Sequence, residues 1–239
     1  MNDAILETQG LRKSFGGVNA IDGVDFRLAP GELRCLIGPN GAGKSTFFKM
    51  LTGQHAPSAG RILFKGQDIT GRMAHEIGRL GIGIKNQVPD VFDGLSAREN
   101  LWLAARFAHG TAQARRMVEE VIERLAIGGF IDRPVGELAH GQRQWVEIGM
   151  VVAREPTLVL LDEPSAGMSV EETARTADLI KEINRSATII VVEHDMQFIR
   201  QIAQIVTVFH RGRILVEEPV EQALTNPRVR DVYLGREAA

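Results

Sequence analysis

Short β-branched or aliphatic runs recur along the chain at Glu32–Ile37, Arg61–Phe64, Thr157–Leu161, Ala187–Val192, Ile205–His210 and Arg213–Glu217. Each has the length of a strand and several are continuously apolar, the pattern of strands buried on both faces. Between them the apolar period lengthens to that of a helix. Met117, Val118, Val121, Ile122 and Leu125 share one face, and Ala174, Ala177, Leu179, Ile180 and Ile183 share another with looser spacing. Buried strands alternating with amphipathic helices predict an α/β fold with a mainly parallel sheet. Residues from about 90 to 150 read as helical and strand-poor. The expected organisation is therefore one domain, with an α/β core from 1–87 and 151–239 and an inserted helical subdomain from 88–150.

Composition narrows the function classes. At 239 residues the chain can bury a full core. Its 28 Lys+Arg against 30 Asp+Glu give a formal net charge of −2, so it lacks the positive field of a protein that coats nucleic acid. That balance still leaves room for a local basic groove, but nucleic acid is not an expected partner. The lone Cys35 excludes an intramolecular disulfide and a cysteine-only zinc cage, and suits a reducing compartment. No apolar run approaches the ~18 residues of a membrane span, and the opening MNDAILETQG has no apolar signal segment. Any work at a membrane is expected to need docking onto something already there.

Gly38-Pro39-Asn40-Gly41-Ala42-Gly43-Lys44-Ser45-Thr46 fits the phosphate-loop pattern GxxxxGK[ST]. It follows a predicted strand and leads into Phe47-Phe48-Lys49-Met50-Leu51, a good helix opening. Glycines let the backbone curl around an anion, and the helix adds the positive end of its dipole. Lys44 is then placed for the β- and γ-phosphates, and the Ser45 hydroxyl for magnesium.

Leu158-Val159-Leu160-Leu161-Asp162-Glu163-Pro164 delivers two carboxylates to the end of a buried strand. Strand alternation sends them to opposite sides. Asp162 is thereby expected in the magnesium shell and Glu163 beside an attacking water. Ligands of open α/β sheets bind at such strand ends.

With these motifs in place, the chain resembles the nucleotide-binding subunit of an ABC transporter from Leu11 to Gly235. The resemblance implies a P-loop NTPase (RecA-like) core with an antiparallel β subdomain and an inserted helical subdomain. It also implies ATP and Mg2+ as cofactors and ATP hydrolysis as the activity. Phe15 matches the aromatic that stacks on adenine, although alone it reads as a core aromatic. Gln87 matches the glutamine that senses magnesium and the nucleophilic water and faces the membrane subunit. Leu138-Ala139-His140-Gly141-Gln142 stands at the family signature, usually LSGGQ, ahead of a helix expected at Arg143–Met150. In the family this signature closes over nucleotide held by a second subunit. Ser165-Ala166-Gly167-Met168 stands as the loop linking the two sites, and His194 as the switch histidine at the γ-phosphate.

Three departures mark the chain. Ala139 and His140 replace the usual Ser and Gly, Asn86 stands where an aromatic is common, and Ser165-Ala166-Gly167-Met168 replaces SALD. The Ala and the Gly-Met pair are familiar in the hydrophobic amino-acid and urea uptake branch. Gln144–Met150, Glu193-His194-Asp195-Met196 and the Asn226–Gly235 tail lean the same way, and the Trp145 segment is similar to the urea type. The partners implied are a second ATP-binding subunit (identical or paralogous), integral permease subunits and, indirectly, a solute-binding protein. The implied location is the cytoplasmic face of the inner membrane. A soluble ABC ATPase acting on nucleic acid or ribosomes is the rival reading, but the chain lacks the tandem cassettes and basic extensions common there. A regulatory module without turnover is opposed by intact Lys44, Asp162, Glu163 and His194.

Overall fold

The structure, a computed structural model, describes residues 4–87 and 90–234. In chain order the strands are β1 (Leu6–Phe15), β2 (Val18–Leu28), β3 (Leu33–Ile37), β4 (Ala59–Phe64), β5 (Gln67–Asp68), β6 (Ile82–Lys85), β7 (Leu158–Asp162), β8 (Thr188–Val192), β9 (Ile205–His210) and β10 (Arg213–Pro219). The helices are α1 (Lys44–Leu51), α2 (Ala74–Arg79), α3 (Ala97–Ala108), α4 (Thr111–Arg124), α5 (His140–Val152), α6 (Val170–Asn184), α7 (Met196–Ile202), α8 (Val220–Thr225) and α9 (Pro227–Leu234). Among the described residues the strands fall into two sheets. One is antiparallel, in the order β2-β1-β4-β5. The other runs β10-β9-β3-β8-β7-β6 and is parallel from β9 to β6, with β10 antiparallel at its edge.

The continuously apolar runs follow from this arrangement, because the parallel sheet has a core on each face. Leu33, Cys35 and Ile37 of β3 enter one core and Leu36 the other; Val159 and Leu161 of β7 oppose Leu158 and Leu160 in the same way. The first core takes in α3–α7, and the second takes in α1 and the antiparallel sheet. Every strand predicted from the apolar runs is present, with ends shifted by at most two residues. β1, β2, β5 and β6 are not picked out individually by the runs, β5 being only two residues long. The β1–β2 register shifts between Thr8 and Leu11, which breaks the alternation, and β6 is a short segment containing Gly83.

The predicted helical faces also hold. Val118, Val121 and Leu125 are buried, with Met117 and Ile122 packed at their margin. On α6, Ala177, Leu179, Ile180 and Ile183 are buried, whereas Ala174 is exposed. Among the described residues no helix is long and apolar enough to cross a membrane. The topology sets β3 between β8 and β9, so the segments after β3, β7 and β8 emerge at one edge of the sheet.

Candidate functional site

The phosphate loop fills the turn between β3 and α1. Gly43, at φ +108, is required sterically: a Cβ there would lie 2.7 Å from the Ala20 carbonyl oxygen. Gly38, at φ +142, has the Phe209 carbonyl against it on the β9 side. The first-turn N–H groups of α1 have no intrahelical acceptor, which makes the loop and helix start a ready donor set for an anion. Half-buried Lys44 lies back over the loop, its Nζ donating to the Gly38 and Pro39 carbonyls at 2.6 and 3.1 Å. Burial lowers the Lys44 ammonium below its usual range, while Glu163 and Asp162 pull the other way. Both carboxylates therefore act on this lysine across the turn.

Asp162 ends β7 beside the loop. Burial raises its carboxyl above the ordinary range and Glu163 adds to the rise, while Lys85 and Lys49 oppose it. Glu163 leaves the strand with φ +45, so a left-handed turn, not the expected alternation, separates the two carboxylates. Its N–H donates to the Val192 carbonyl at 2.9 Å, which ties the turn to β8. Gln87 reaches in from beyond β6 and donates Nε2–H to Glu163 Oε2 at 2.8 Å. His194, exposed after β8, holds Nδ1 3.6 Å from Glu163 Oε1. Lys44, Asp162, Glu163, Gln87 and His194 thus gather at one sheet edge. Among the described residues no His, Cys, Asp or Glu cluster suffices to hold a metal alone. A Ser hydroxyl and one carboxylate are nonetheless the sparse protein share typical of magnesium held together with nucleotide phosphates.

Three features escape the motif reading. Buried Glu193 accepts from Ser165 Oγ at 2.5 Å, from the Ser165 N–H at 3.1 Å and from the His194 N–H at 2.9 Å. It joins the segments after β7 and β8. The second is a buried Lys85–Glu147 pair, Nζ to Oε2 3.5 Å, between the end of β6 and α5. Burial pushes both groups toward neutrality and their mutual attraction opposes that. Glu147 Oε1 also accepts the Asp90 N–H at 3.2 Å, so Glu147 of α5 holds Lys85 and Asp90, one on each side of Gln87 in sequence. The signal in the sequence is a lone Glu within Trp145-Val146-Glu147-Ile148. Tyr233 belongs here too. The residue is 39% exposed overall, yet burial around its phenol pushes it up to about 12 while the Gly38 backbone N–H favours the phenolate, placing α9 beside the phosphate loop.

α5 begins at His140, three residues before the expected start, so His140, Gly141 and Gln142 form its first turn. Gln142 Oε1 accepts the Ala139 N–H at 3.2 Å, one half of a capping box. Ala139 has no side-chain acceptor for the other half. Phe15 is not a core aromatic. It is 44% exposed at the end of β1, edge-on to His55 with a centroid separation of 5.4 Å, and Lys13 Nζ sits 5.0 Å from its centroid.

Comparisons with known proteins agree with this fold and identify its family. The ABC transporter family model matches residues 21–166. The chain is 32% identical to the high-affinity branched-chain amino acid transport ATP-binding protein BraF of Pseudomonas aeruginosa, covering 98% of this chain and 99% of that one. The same identity and coverages hold for LivG of Escherichia coli K12, with the same descriptive name. An ATP-binding cassette of an ABC transporter in its ADP conformation superposes with TM-score 0.87 at 28% identity, over 97% of this chain and 99% of that one. CbiO1 from Clostridium perfringens, part of an ABC transporter complex, gives 0.86 at 29% identity over 97% and 95%. A phosphate loop, an acidic strand end and a signature helix in one fold, matched over nearly its whole length, place this chain in the ABC transporter family, among its ATP-binding, ATP-hydrolysing subunits.

Proposed function

We propose that the chain powers an ABC importer for an amino-acid-like solute, docked under permease subunits on the cytoplasmic face of the membrane. The convergence of Lys44, Asp162, Glu163, Gln87 and His194 at one sheet edge carries the reading. In it, Gly38–Thr46 cradles the ATP phosphates, Lys44 faces the β- and γ-phosphates, and Phe15 stacks on adenine. Ser45, Asp162 and Gln87 hold Mg2+, which when bound neutralises the phosphate charge. Glu163 takes a proton from the attacking water, with Gln87 and His194 orienting it. Positioning and electrostatics supply most of the catalysis in such phosphoryl transfers. Ala139-His140-Gly141-Gln142 faces nucleotide held by a second subunit, identical or paralogous. Residues 88–150 serve as the helical subdomain and the flanking segments as the core. The names of BraF and LivG favour branched-chain amino acids as the solute class. The Trp145 segment favours urea as the second reading.

The permease contact is assigned to a groove of about 480 Å3 between β6, α3 and α5, lined by Ile84, Phe92, Leu103, Phe107 and Met150 among others. Val88 and Pro89, which extend the apolar Val91-Phe92 sequence toward Gln87, lie outside the described residues. Val91 packs against the core, but Phe92 is 58% exposed. Buried Asn100 bonds the Phe92 N–H and carbonyl at 2.8 and 3.1 Å, fixing the backbone while the ring faces out. Local packing therefore does not account for Phe92. In complexes reconstituted with permease subunits, Phe92→Asp is expected to keep basal ATPase and lose permease stimulation. Retained stimulation would remove the groove assignment. Capture by nucleic acid or ribosomes, with no permease bound, would favour the rival function.

A second expectation concerns Ala139→Ser. The new hydroxyl completes the capping box by accepting the Gln142 N–H, worth about 0.5–2 kcal/mol of helix stability. It also adds one hydrogen bond toward a partner's phosphate, at most about 1.5–3 kcal/mol before water is displaced. ATP-dependent association, read by sizing, is expected to strengthen modestly with no change in competence. A large gain in turnover would mean that the backbone N–H groups at the start of α5 are inadequate alone.

A further inference from the structure

The loop Ser165–Met168 is tied down within its own chain. Ser165 is bonded to Glu193, and the Ala166 carbonyl lies 3.0 Å from His140 Nε2. A carbonyl only accepts, so Nε2 carries the imidazole proton. Gln144 Nε2 stands 3.4 Å from the same nitrogen while its buried Oε1 has no partner among the described residues. The reversed amide, with oxygen toward His140 Nε2–H, removes that donor–donor conflict. Further along, the Thr176 hydroxyl accepts from Trp145 Nε1 at 2.9 Å and lies 3.1 Å from Met168 Sδ. Glu172 packs against Gly141 from the α6 side.

Gly167 completes the fit. At φ +73 it has a backbone that L residues rarely adopt, and a Cβ there would lie 3.2 Å from His140 Nε2 and 3.4 Å from its Cδ2. The imidazole thus occupies the space beside a residue that has no side chain. His140 stands where the common signature has glycine, and Gly167 where the common loop has leucine. The two departures accommodate each other.

We infer that His140 is a positioning residue that latches the loop Ser165–Met168 onto the first turn of α5, making signature and loop move as one body. Glu193 extends the connection to His194, since one carboxylate accepts from both Ser165 and the His194 N–H. The functional consequence rests on the sandwich reading above, because it links this chain's own site to the surface that closes on a partner's nucleotide. The latch itself requires no partner.

The test uses the full chain. In the nucleotide-free protein, His140→Ala is expected to speed amide exchange across residues 165–169 by roughly fivefold or more. With ATP it should lower kcat about tenfold at unchanged KM, the pattern of a group that acts only when the site closes. His140→Gln keeps an N–H donor and should recover most of both. Gly167→Ala crowds the imidazole, so it should do less harm beside His140→Ala than alone, a non-additivity that a shared contact produces. Unchanged exchange at 165–169 in His140→Ala, no recovery with Gln, or strict additivity with Gly167→Ala would each overturn the latch. Absence of turnover in the unmodified protein would instead count against the ATPase assignment, and the exchange data would still judge the latch.

Discussion

Replacing Glu163 by glutamine is expected to leave ATP bound and to slow its hydrolysis by roughly 100-fold or more, the range for loss of a general base. The substitution is close to isosteric. A glutamine keeps a carbonyl oxygen that can accept the Gln87 bond now 2.8 Å long, and the N–H bond to Val192 is a backbone matter. The φ of +45 costs glutamine no more than glutamate. The chemistry is removed while the fold is spared. Unhydrolysed ATP should then hold two subunits together, visible as a shift to dimer on sizing with ATP–Mg2+. A subunit whose natural partner is a paralogue would show the kinetic effect with a weaker shift. Full activity in Glu163→Gln would transfer the base role, and His194, 3.6 Å from the carboxylate, is next in line.

Lys44→Ala is expected to cost about 2–4 kcal/mol of ATP affinity, the worth of charge-assisted bonds to phosphate. Lys44 now donates to the Gly38 and Pro39 carbonyls, so its truncation also removes a brace across the loop. Both losses act in the same direction. Glu163 and Asp162 stay behind without their nearby cation, which makes the emptied turn less hospitable to a polyanion. Calorimetric titration with ATP–Mg2+ measures the effect. Unchanged affinity together with unchanged turnover would sink the assignment of Lys44.

The phosphate loop was legible because its chemistry is local. The glycines are dictated by backbone geometry over a few residues, as Gly43 against Ala20 illustrates, and a fixed spacing follows. The acidic pair was legible for a related reason, since a run of buried aliphatics must end where the sheet meets solvent. Glu193 and the Lys85–Glu147 pair were not. Their partners are distant in sequence, and a charge inside an apolar segment says nothing about what answers it. The start of α5 was misplaced because its apolar period begins at Trp145, whereas its first turn is made of residues chosen for contact, not burial. Phe15 reads as core from residue type alone, yet β1 ends there and the Gly16-Gly17 turn leaves the ring at the surface.

Cys35 lies in the middle of β3, buried on the face that holds the larger core. Burial raises its thiol far above the ordinary range, with Glu193 adding to the effect, so its thiolate is suppressed as well as hidden. The natural chain therefore offers a quiet background for thiol-specific chemistry. Val170 is 87% exposed at the first position of α6, directly after Ser169, the helix N-cap. A cysteine placed there could carry a spin label or fluorophore next to the loop Ser165–Met168, without removing a native residue to silence the background. Distances between two such probes would then follow the approach of one subunit to another in real time.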